Sequence, residues 1–119
     1  MRILYVENHP EFTAAVTSSF LADHEVVVVP TIAGARAAIR SSRFDVVLVD
    51  YDLDDGKGDA LVRWVKMAAR GTKVIAVSAR DDGNQALVRA GADAACAKLS
   101  FSRIGSVIRE LTEGEAPAR

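Results

Sequence analysis

Polar side chains that can bind a cation or a phosphoryl group follow four short apolar runs of the sequence. They are Glu7 and Asn8, then Asp50 and Asp52, then Ser78, and finally Lys98. Carboxylates that are drawn together repel each other unless a cation lies between them. Oxygen ligands whose remaining positions are filled by water suit Mg²⁺. We therefore expect a magnesium site wherever the fold brings Glu7, Asn8 and Asp50 together.

Asp50 is the candidate for the reacting group because it directly follows the six-residue run "FDVVLV". A bound metal, a lysine ammonium and a hydroxyl around one carboxylate form a receptacle for a phosphoryl group. Lys98 and Ser78 supply the last two. Asp50 would then be the nucleophile, and the product would be an aspartyl phosphate.

Five apolar runs predict the strands that position these residues. They are "RILYV" (2–6), "EVVVV" (25–29), "FDVVLV" (44–49), "KVIAV" (73–77) and "DAACA" (93–97). The middle three barely alternate between apolar and polar residues, which is typical of strands buried on both faces of a parallel sheet. The alanine-rich fifth run is the weakest indication of a strand.

Stretches with helical spacing separate the runs and predict five helices. Pro10 suits the first position of a helix, Thr31 can cap the second helix, and Gly91 can end the fourth. The apolar residues at helical spacing on the first three helices are Phe12, Val16 and Phe20; Ile32, Ala35, Ala38 and Ile39; and Leu61, Trp64, Val65 and Ala68. On the last two helices the predicted inward residues are Ala86, Leu87 and Ala90, and Ile104, Val107, Ile108 and Leu111.

Alternation of strands and helices predicts an α/β fold of five βα units, with a doubly wound, five-stranded parallel sheet and right-handed crossovers. For such a sheet we expect the common strand order 2-1-3-4-5. Strands 1 and 3 are neighbours in this order, so their carboxyl ends meet. Such a sheet binds ligands beyond the carboxyl ends of its strands. The candidate residues all fall at these ends.

Length, composition and charge limit the number of domains, the kinds of partner and the location of the protein. The 119 residues fit one domain, which we place at residues 1–112, followed by a fraying tail at 113–119. A net charge of −1 without a basic stripe argues against direct nucleic-acid binding. The N-terminal apolar run is too short for a signal peptide or a membrane span. The single cysteine, Cys96, indicates a buried structural thiol in a reducing compartment, so a cytoplasmic location without a membrane is expected.

Four segments in this order resemble the receiver domain of two-component response regulators, with its flavodoxin-like (CheY-like) fold. "ILYVENHPEF" resembles the family's first strand and acidic pair, and "FDVVLVDYDLDDGKG" its phosphoacceptor strand and loop. "VIAVSAR" resembles the strand that ends in a Thr or Ser, and "AGADAACAK" the segment that leads to a lysine. The resemblance covers about residues 2–112.

The resemblance implies a role for each candidate residue. Asp50 would be the phosphoacceptor, with Ser78 and Lys98 on the phosphoryl oxygens. Mg²⁺ would be held by Glu7, Asn8, Asp50 and the backbone carbonyl of Asp52. A histidine kinase or phosphotransfer protein would be the donor. The face formed by the fourth helix, fifth strand and fifth helix would engage a downstream protein or a second copy.

Several positions depart from the family's pattern. Asn8 stands where the second acid is usual, so we expect a weaker magnesium site. Ala95 replaces an aromatic residue that acts as a rotating switch, so any signal would pass through Ser78 and the 79–83 loop. Leu99 replaces a proline that is often preceded by a cis bond. Because a non-proline cis bond costs about 2.5–4 kcal/mol, the Lys98–Leu99 bond is expected to be trans.

Two other functions fit part of the sequence. Asn8 and Ala95 favour a receiver-like binding module that is never phosphorylated. The Asp-x-Asp pattern of Asp50 and Asp52 also resembles haloacid-dehalogenase-type phosphatases, in which the first aspartate is the nucleophile and the second the general acid. That family places its aspartate pair on the first strand and needs a further acidic strand end after the lysine. In this sequence two predicted strands precede Asp50, and no predicted strand follows Lys98. We therefore expect a signalling domain rather than an enzyme.

Overall fold

The computed structural model describes residues 1–113. Its strands are β1 (Arg2–Val6), β2 (Glu25–Val29), β3 (Val46–Val49), β4 (Asp52–Leu53), β5 (Gly56–Lys57), β6 (Lys73–Ala76) and β7 (Ala94–Ala95). Its helices are α1 (Pro10–Phe20), α2 (Ile32–Ser41), α3 (Gly58–Ala68), α4 (Asp81–Arg89) and α5 (Ile104–Glu113), with a 3₁₀ helix at Lys98–Arg103 before α5. The predicted tail lies outside the described residues except for Glu113, which ends α5.

Five parallel strands form the central sheet in the order β2-β1-β3-β6-β7. This is the predicted order 2-1-3-4-5, because β4 and β5 are not part of this sheet. They form a small antiparallel hairpin in the loop after β3, which the sequence pattern did not predict. The predicted fold class is confirmed. The alanine-rich fifth run yields only the two-residue strand β7.

β3 and β6 are buried on both faces, as their continuous apolar runs predict, and β1 is buried in the same way. The same prediction is wrong for β2, which lies at the edge of the sheet and leaves Val28 43% exposed. Leu4 and Val6 of β1 face a core that they share with α2, α3 and α4. Ile3 and Tyr5 face the opposite core, shared with α1 and α5. Because successive side chains of a strand point to opposite faces, one strand contributes to both cores. Cys96 is buried in the second core, as predicted.

The helix boundaries follow the predicted capping residues. Pro10 occupies the first turn of α1, and the Thr31 hydroxyl accepts a hydrogen bond from the Gly34 N–H at the start of α2. Gly91 has a φ of +123°, a conformation that glycine adopts without strain, and it follows the end of α4. Among residues 1–113, no helix combines the length and apolar character needed to cross a bilayer.

Candidate functional site

The pairing of β1 with β3 places Glu7 beside Asp50. Val6 lies opposite Val49 in this register, and the Asp50 N–H donates to the Val6 carbonyl at 3.0 Å. The next residue of each strand is therefore carried to the same edge of the sheet. Both are buried: Glu7 is 2% exposed and Asp50 is 4% exposed. The predicted juxtaposition of two carboxylates is present.

Lys98 lies between these two carboxylates. Its Nζ is 2.7 Å from Oε1 of Glu7 and 3.3 Å from Oδ2 of Asp50. The residue begins the 3₁₀ helix after β7, and its backbone N–H donates to the carbonyl of Ser78 at 3.2 Å. The ammonium is also 5.3 Å from the centre of the Phe12 ring. One cation of the chain thus offsets part of the negative charge of the site.

The raised pKa of Asp50 indicates that Lys98 offsets only part of the negative charge at this site. Burial and the charge of Glu7 raise the pKa of Asp50 to about 6, against the lowering effects of Lys98 and of the Tyr51 N–H. That N–H donates to Oδ1 of Asp50 at 2.8 Å. A further positive charge at this site would therefore stabilise the ionised Asp50.

The loop after Asp50 turns back tightly onto the acceptor strand. The Gly58 N–H donates to the Tyr51 carbonyl at 2.7 Å. A Cβ atom on Gly58 would lie 2.1 Å from the backbone oxygen of Asp50, which no side chain can tolerate without backbone movement. The loop also reaches α2, because the Asp55 carboxylate accepts hydrogen bonds from the N–H groups of Ile32 and Ala33 at 2.8 and 3.0 Å.

Asn8 lies next to the paired carboxylates, but its amide group is turned toward the loop. Nδ2 donates to Oδ1 of Asp54 at 2.9 Å, and the backbone N–H donates to Oε2 of Glu7 at 3.1 Å. The side-chain oxygen of Asn8 is buried and has no hydrogen-bond partner within residues 1–113. A buried acceptor without a donor is costly, and a cation would satisfy it. Asp54, which accepts the hydrogen bond from Asn8, is itself exposed.

The Asp52 carboxylate points to a different set of charges. It forms ion pairs with Lys57 and with Arg80, the second at 3.6 Å. The hydrogen bond from Lys57 and the charge of Arg80 hold the pKa of Asp52 below its usual range. The side chain is about half exposed. It is engaged by cations of the chain itself, so only its backbone carbonyl stays a candidate metal ligand.

Ser78 follows β6, beside the acceptor strand, and its backbone is held by a residue that the sequence pattern did not indicate. Oδ1 of Asn84 accepts from the Ser78 N–H at 2.9 Å, and Nδ2 of Asn84 donates to the Ser78 carbonyl at 3.3 Å. The hydroxyl accepts from the Arg80 N–H at 3.2 Å. A Cβ on Gly83 would lie 2.6 Å from this hydroxyl oxygen. The only sequence signal for Asn84 is a polar residue on the inward face of α4.

His9 is a second residue whose position the sequence did not reveal. It directly precedes α1, and its side chain is 65% exposed. Its Nδ1 nevertheless lies 2.8 Å from Oε2 of Glu7. Ligand atoms of Glu7, His9 and Asp50 all fall within 4.8 Å of one another. The indication of this contact in the sequence is that His9 follows Glu7 by two residues.

Comparison with known proteins agrees with this geometry. The sequence profile of the response regulator receiver domain family matches residues 3–104. The chain belongs to this family. Receiver domains are signalling domains of two-component systems, so the resemblance recognised from the sequence is confirmed. No curated protein sequence matches the chain significantly.

Solved receiver structures share the fold. A CheY-like receiver domain protein from Methanospirillum hungatei is 25% identical, with a TM-score of 0.83 over 96% of this chain and 95% of that one. The response regulator TrrA from Thermotoga maritima, solved with Mg²⁺ and BeF, is 19% identical, with a TM-score of 0.83 over 92% and 97% of the two chains. The OmpR/PhoB homologue DrrB from the same organism is 21% identical, with a TM-score of 0.83 over 96% of this chain and 53% of DrrB.

Two departures from the usual receiver pattern are visible in the structure. Ala95, which replaces the switch aromatic, is exposed on β7. The bond between Lys98 and Leu99 is trans, as predicted.

Proposed function

We propose that this receiver accepts a phosphoryl group on Asp50 in a Mg²⁺-dependent step, with a histidine kinase or a phosphotransfer protein as the donor. The observation that carries the proposal is the buried carboxylate of Asp50 at the end of β3, with the Lys98 ammonium 3.3 Å from one of its oxygens. Burial keeps bulk water from the acyl phosphate that forms. The ammonium offsets charge that the phosphoryl group adds.

Different residues of this chain act on the Asp50 carboxylate and on the phosphoryl group during the transfer. An oxygen of Asp50 attacks the phosphorus of a phosphohistidine, a P–O bond forms, the P–N bond breaks, and the imidazole leaves with the electron pair of that bond. The Tyr51 N–H holds Oδ1 of Asp50 and so fixes the orientation of the carboxylate. Ser78, whose backbone is held by Asn84 of α4, donates its hydroxyl to one phosphoryl oxygen, and Lys98 pairs with another.

Glu7, the side-chain oxygen of Asn8, Asp50 and the backbone carbonyl of Asp52 would hold the Mg²⁺ ion. The buried, unpartnered oxygen of Asn8 supports its place in this set. Bound Mg²⁺ supplies a positive charge to the transferring oxygens. Because an amide contributes oxygen without charge, replacement of an acid by Asn8 should leave a weaker site rather than none.

The output of the switch is proposed to be the surface of α4, β7 and α5, where a downstream protein or a second copy would bind. Ser78 is bonded through its backbone to Asn84 of α4 and to Lys98 after β7. This supports a route through Ser78 and the 79–83 loop in place of a rotating aromatic at Ala95. Amide chemical shifts with and without a beryllofluoride mimic test the route. Unchanged shifts across residues 79–105 would exclude it.

The proposal includes a cytoplasmic location, no direct contact with nucleic acid or membrane, and no turnover of free substrates beyond self-phosphorylation and self-dephosphorylation. The rival with a specific observation in its favour is a receiver that is never phosphorylated, because the Asn8 amide is bonded to Asp54. A haloacid-dehalogenase-type phosphatase is less favoured, since the Asp52 carboxylate is paired with Lys57 and Arg80.

Phosphoryl transfer from acetyl phosphate is the test. Intact mass should show one added phosphoryl group per chain, dependent on Mg²⁺ and lost in Asp50→Asn. Asp23→Asn, which removes an exposed acid after α1, is the matched control and should be labelled as the wild type is. Absence of labelling with acetyl phosphate and with a phosphorylated histidine-containing donor would favour the non-phosphorylated module. Multiple turnover of a generic phosphomonoester would favour the phosphatase.

A further inference from the structure

The two carboxylate oxygens of Glu7 face different partners. Oε1 lies 2.7 Å from the Lys98 ammonium. Oε2 accepts the Asn8 N–H at 3.1 Å and lies 2.8 Å from Nδ1 of His9. A cation that binds Oε2 can leave the ion pair with Lys98 in place, and it would then lie on the side of Glu7 where the imidazole is.

We propose that His9 is itself a ligand, through Nδ1, of the cation bound by Glu7 and Asp50, and that the site therefore selects divalent transition ions such as Mn²⁺ and Zn²⁺ over Mg²⁺. The inference rests on the proposed function to the extent that it concerns the same cation site beside Asp50. Its geometric basis is that ligand atoms of Glu7, His9 and Asp50 lie within 4.8 Å of one another.

Donor chemistry determines the direction of the selectivity. Mg²⁺ prefers oxygen ligands and keeps several waters, whereas imidazole nitrogen suits first-row transition ions. The substitution of an acid by Asn8 removes one negative charge from the oxygen set. His9 adds a nitrogen donor to what remains. Two carboxylates, an amide oxygen and an imidazole suit a transition ion better than Mg²⁺.

The backbone and surroundings of His9 suit this role. The residue precedes Pro10, which restricts its backbone to extended conformations, and it shows φ −112° and ψ 89°. The base of the side chain is therefore fixed at the start of α1. The ring borders an open cleft of about 660 Å³, lined also by Phe12, Ala79 and Lys98. The ring can turn in this cleft.

A hydrogen bond from His9 that only orients Glu7 is the competing role, and it predicts a different result. An orienting residue would weaken the binding of every ion to a similar degree. A ligand changes the ratio between ions. The measurement must therefore compare two ions and must detect the nitrogen directly.

Affinities of Zn²⁺ and Mg²⁺ for the full chain, measured by calorimetry, provide the first readout. His9→Gln should lower the Zn²⁺ affinity about tenfold or more and change the Mg²⁺ affinity less than about threefold. His24→Gln is the matched control, because it removes the other histidine of the chain and should leave both affinities unchanged. Parallel losses for both ions would overturn the proposal and assign His9 the orienting role.

Pulsed EPR of the Mn²⁺-loaded protein is the second readout. A ¹⁴N coupling of a directly bound imidazole should be present in the wild type and in His24→Gln, and absent in His9→Gln. Asp50→Asn should weaken Mn²⁺ binding, which locates the ion at this site. A wild-type spectrum without the coupling, or a coupling that persists in His9→Gln, would overturn the proposal. Mg²⁺-dependent labelling of Asp50 without the coupling would overturn this inference alone, whereas the coupling without any labelling would overturn the proposed function alone.

Discussion

Asp50 is flanked by two groups of side chains that are held in different ways. The phosphoryl side, Ser78 and Asn84, is buried, and Asn84 bonds both the N–H and the carbonyl of Ser78. The cation side, Asn8, His9 and Asp54, is more exposed, and its hydrogen bond between Asn8 and Asp54 lies at the surface. The phosphoryl side is therefore built into the core, whereas the cation side can change residue types at little cost in stability.

The ion pair between Lys98 and Glu7 lies between the two sides. Breaking it should cause the largest loss of stability. Lys98→Met leaves the buried Glu7 charge without its partner, and we expect a loss of roughly 3–5 kcal/mol in the free energy of unfolding, measured with urea in metal-free buffer. Lys98→Met combined with Glu7→Gln should recover much of this loss. A cost below about 1 kcal/mol for Lys98→Met would mean that solvent already compensates Glu7.

Asp50 itself should make the stability depend on pH. Its pKa is raised to about 6, so between its unfolded value and pH 6 the folded state binds more protons than the unfolded state. The free energy of unfolding should therefore fall as pH rises through this window and level off above it. The ionised carboxylate then costs on the order of 2–3 kcal/mol at neutral pH.

Asp50→Asn is the matched variant for this dependence. It should be more stable than the wild type at pH 7 without Mg²⁺ and should lose the slope between pH 4 and about pH 6. Equal slopes in the two proteins, measured by urea unfolding across this range, would show that other groups cause the dependence.

The contrast between the two sides predicts unequal costs for removing one side chain from each. Asn84→Ala removes the acceptor of the buried Ser78 N–H and leaves the Ser78 carbonyl with the Lys98 N–H as its donor, and it should cost about 1–3 kcal/mol. Asp54→Ala removes an exposed hydrogen bond from Asn8 and should cost less than about 1 kcal/mol. Thermal or urea unfolding of the pair measures the difference, and similar costs would remove the distinction between the sides.

Asn8→Asp is expected to have the smallest effect on stability and the clearest effect on cation binding. The substitution adds a carboxylate beside those of Glu7 and Asp50, and this carboxylate faces the one of Asp54. Without metal, the repulsion between them should destabilise the fold by about 0.5 kcal/mol. With Mg²⁺ the added charge should tighten binding, as calorimetry would show. Unchanged affinity would make Asn8 a turn residue and would strengthen the case for a receiver that is not phosphorylated.

The fold and the centre of the site could be predicted from sequence because both depend on apolar runs and their ends. A buried parallel strand identifies itself by continuous hydrophobicity, and the residue after it must lie at the sheet edge, as Glu7 and Asp50 do. The predicted positions of Glu7, Asp50 and Lys98 needed nothing more than the strand order.

The polar contacts around that centre could not be predicted, because they depend on side-chain directions and on loop shape. Asn84 bonds Ser78 across the turn into α4, and Asp55 bonds residues of α2 that are more than twenty positions away in sequence. The hairpin of β4 and β5 has two residues per strand, too few for any periodicity. The position of His9 immediately before Pro10 and α1 does not indicate its contact with Glu7, which depends on the direction of its side chain.

Because Asp55 is hydrogen-bonded to the first turn of α2, two backbone amides outside the loop after Asp50 report on the movement of that loop. The N–H groups of Ile32 and Ala33 are satisfied by a carboxylate that belongs to the loop after Asp50. Each movement that withdraws Asp55 exposes these two hydrogens to solvent, so their exchange with deuterium records how often the loop opens. Hydrogen exchange at these two amides of α2 therefore measures how often the loop beside Asp50 opens, without a label or ligand at the site itself.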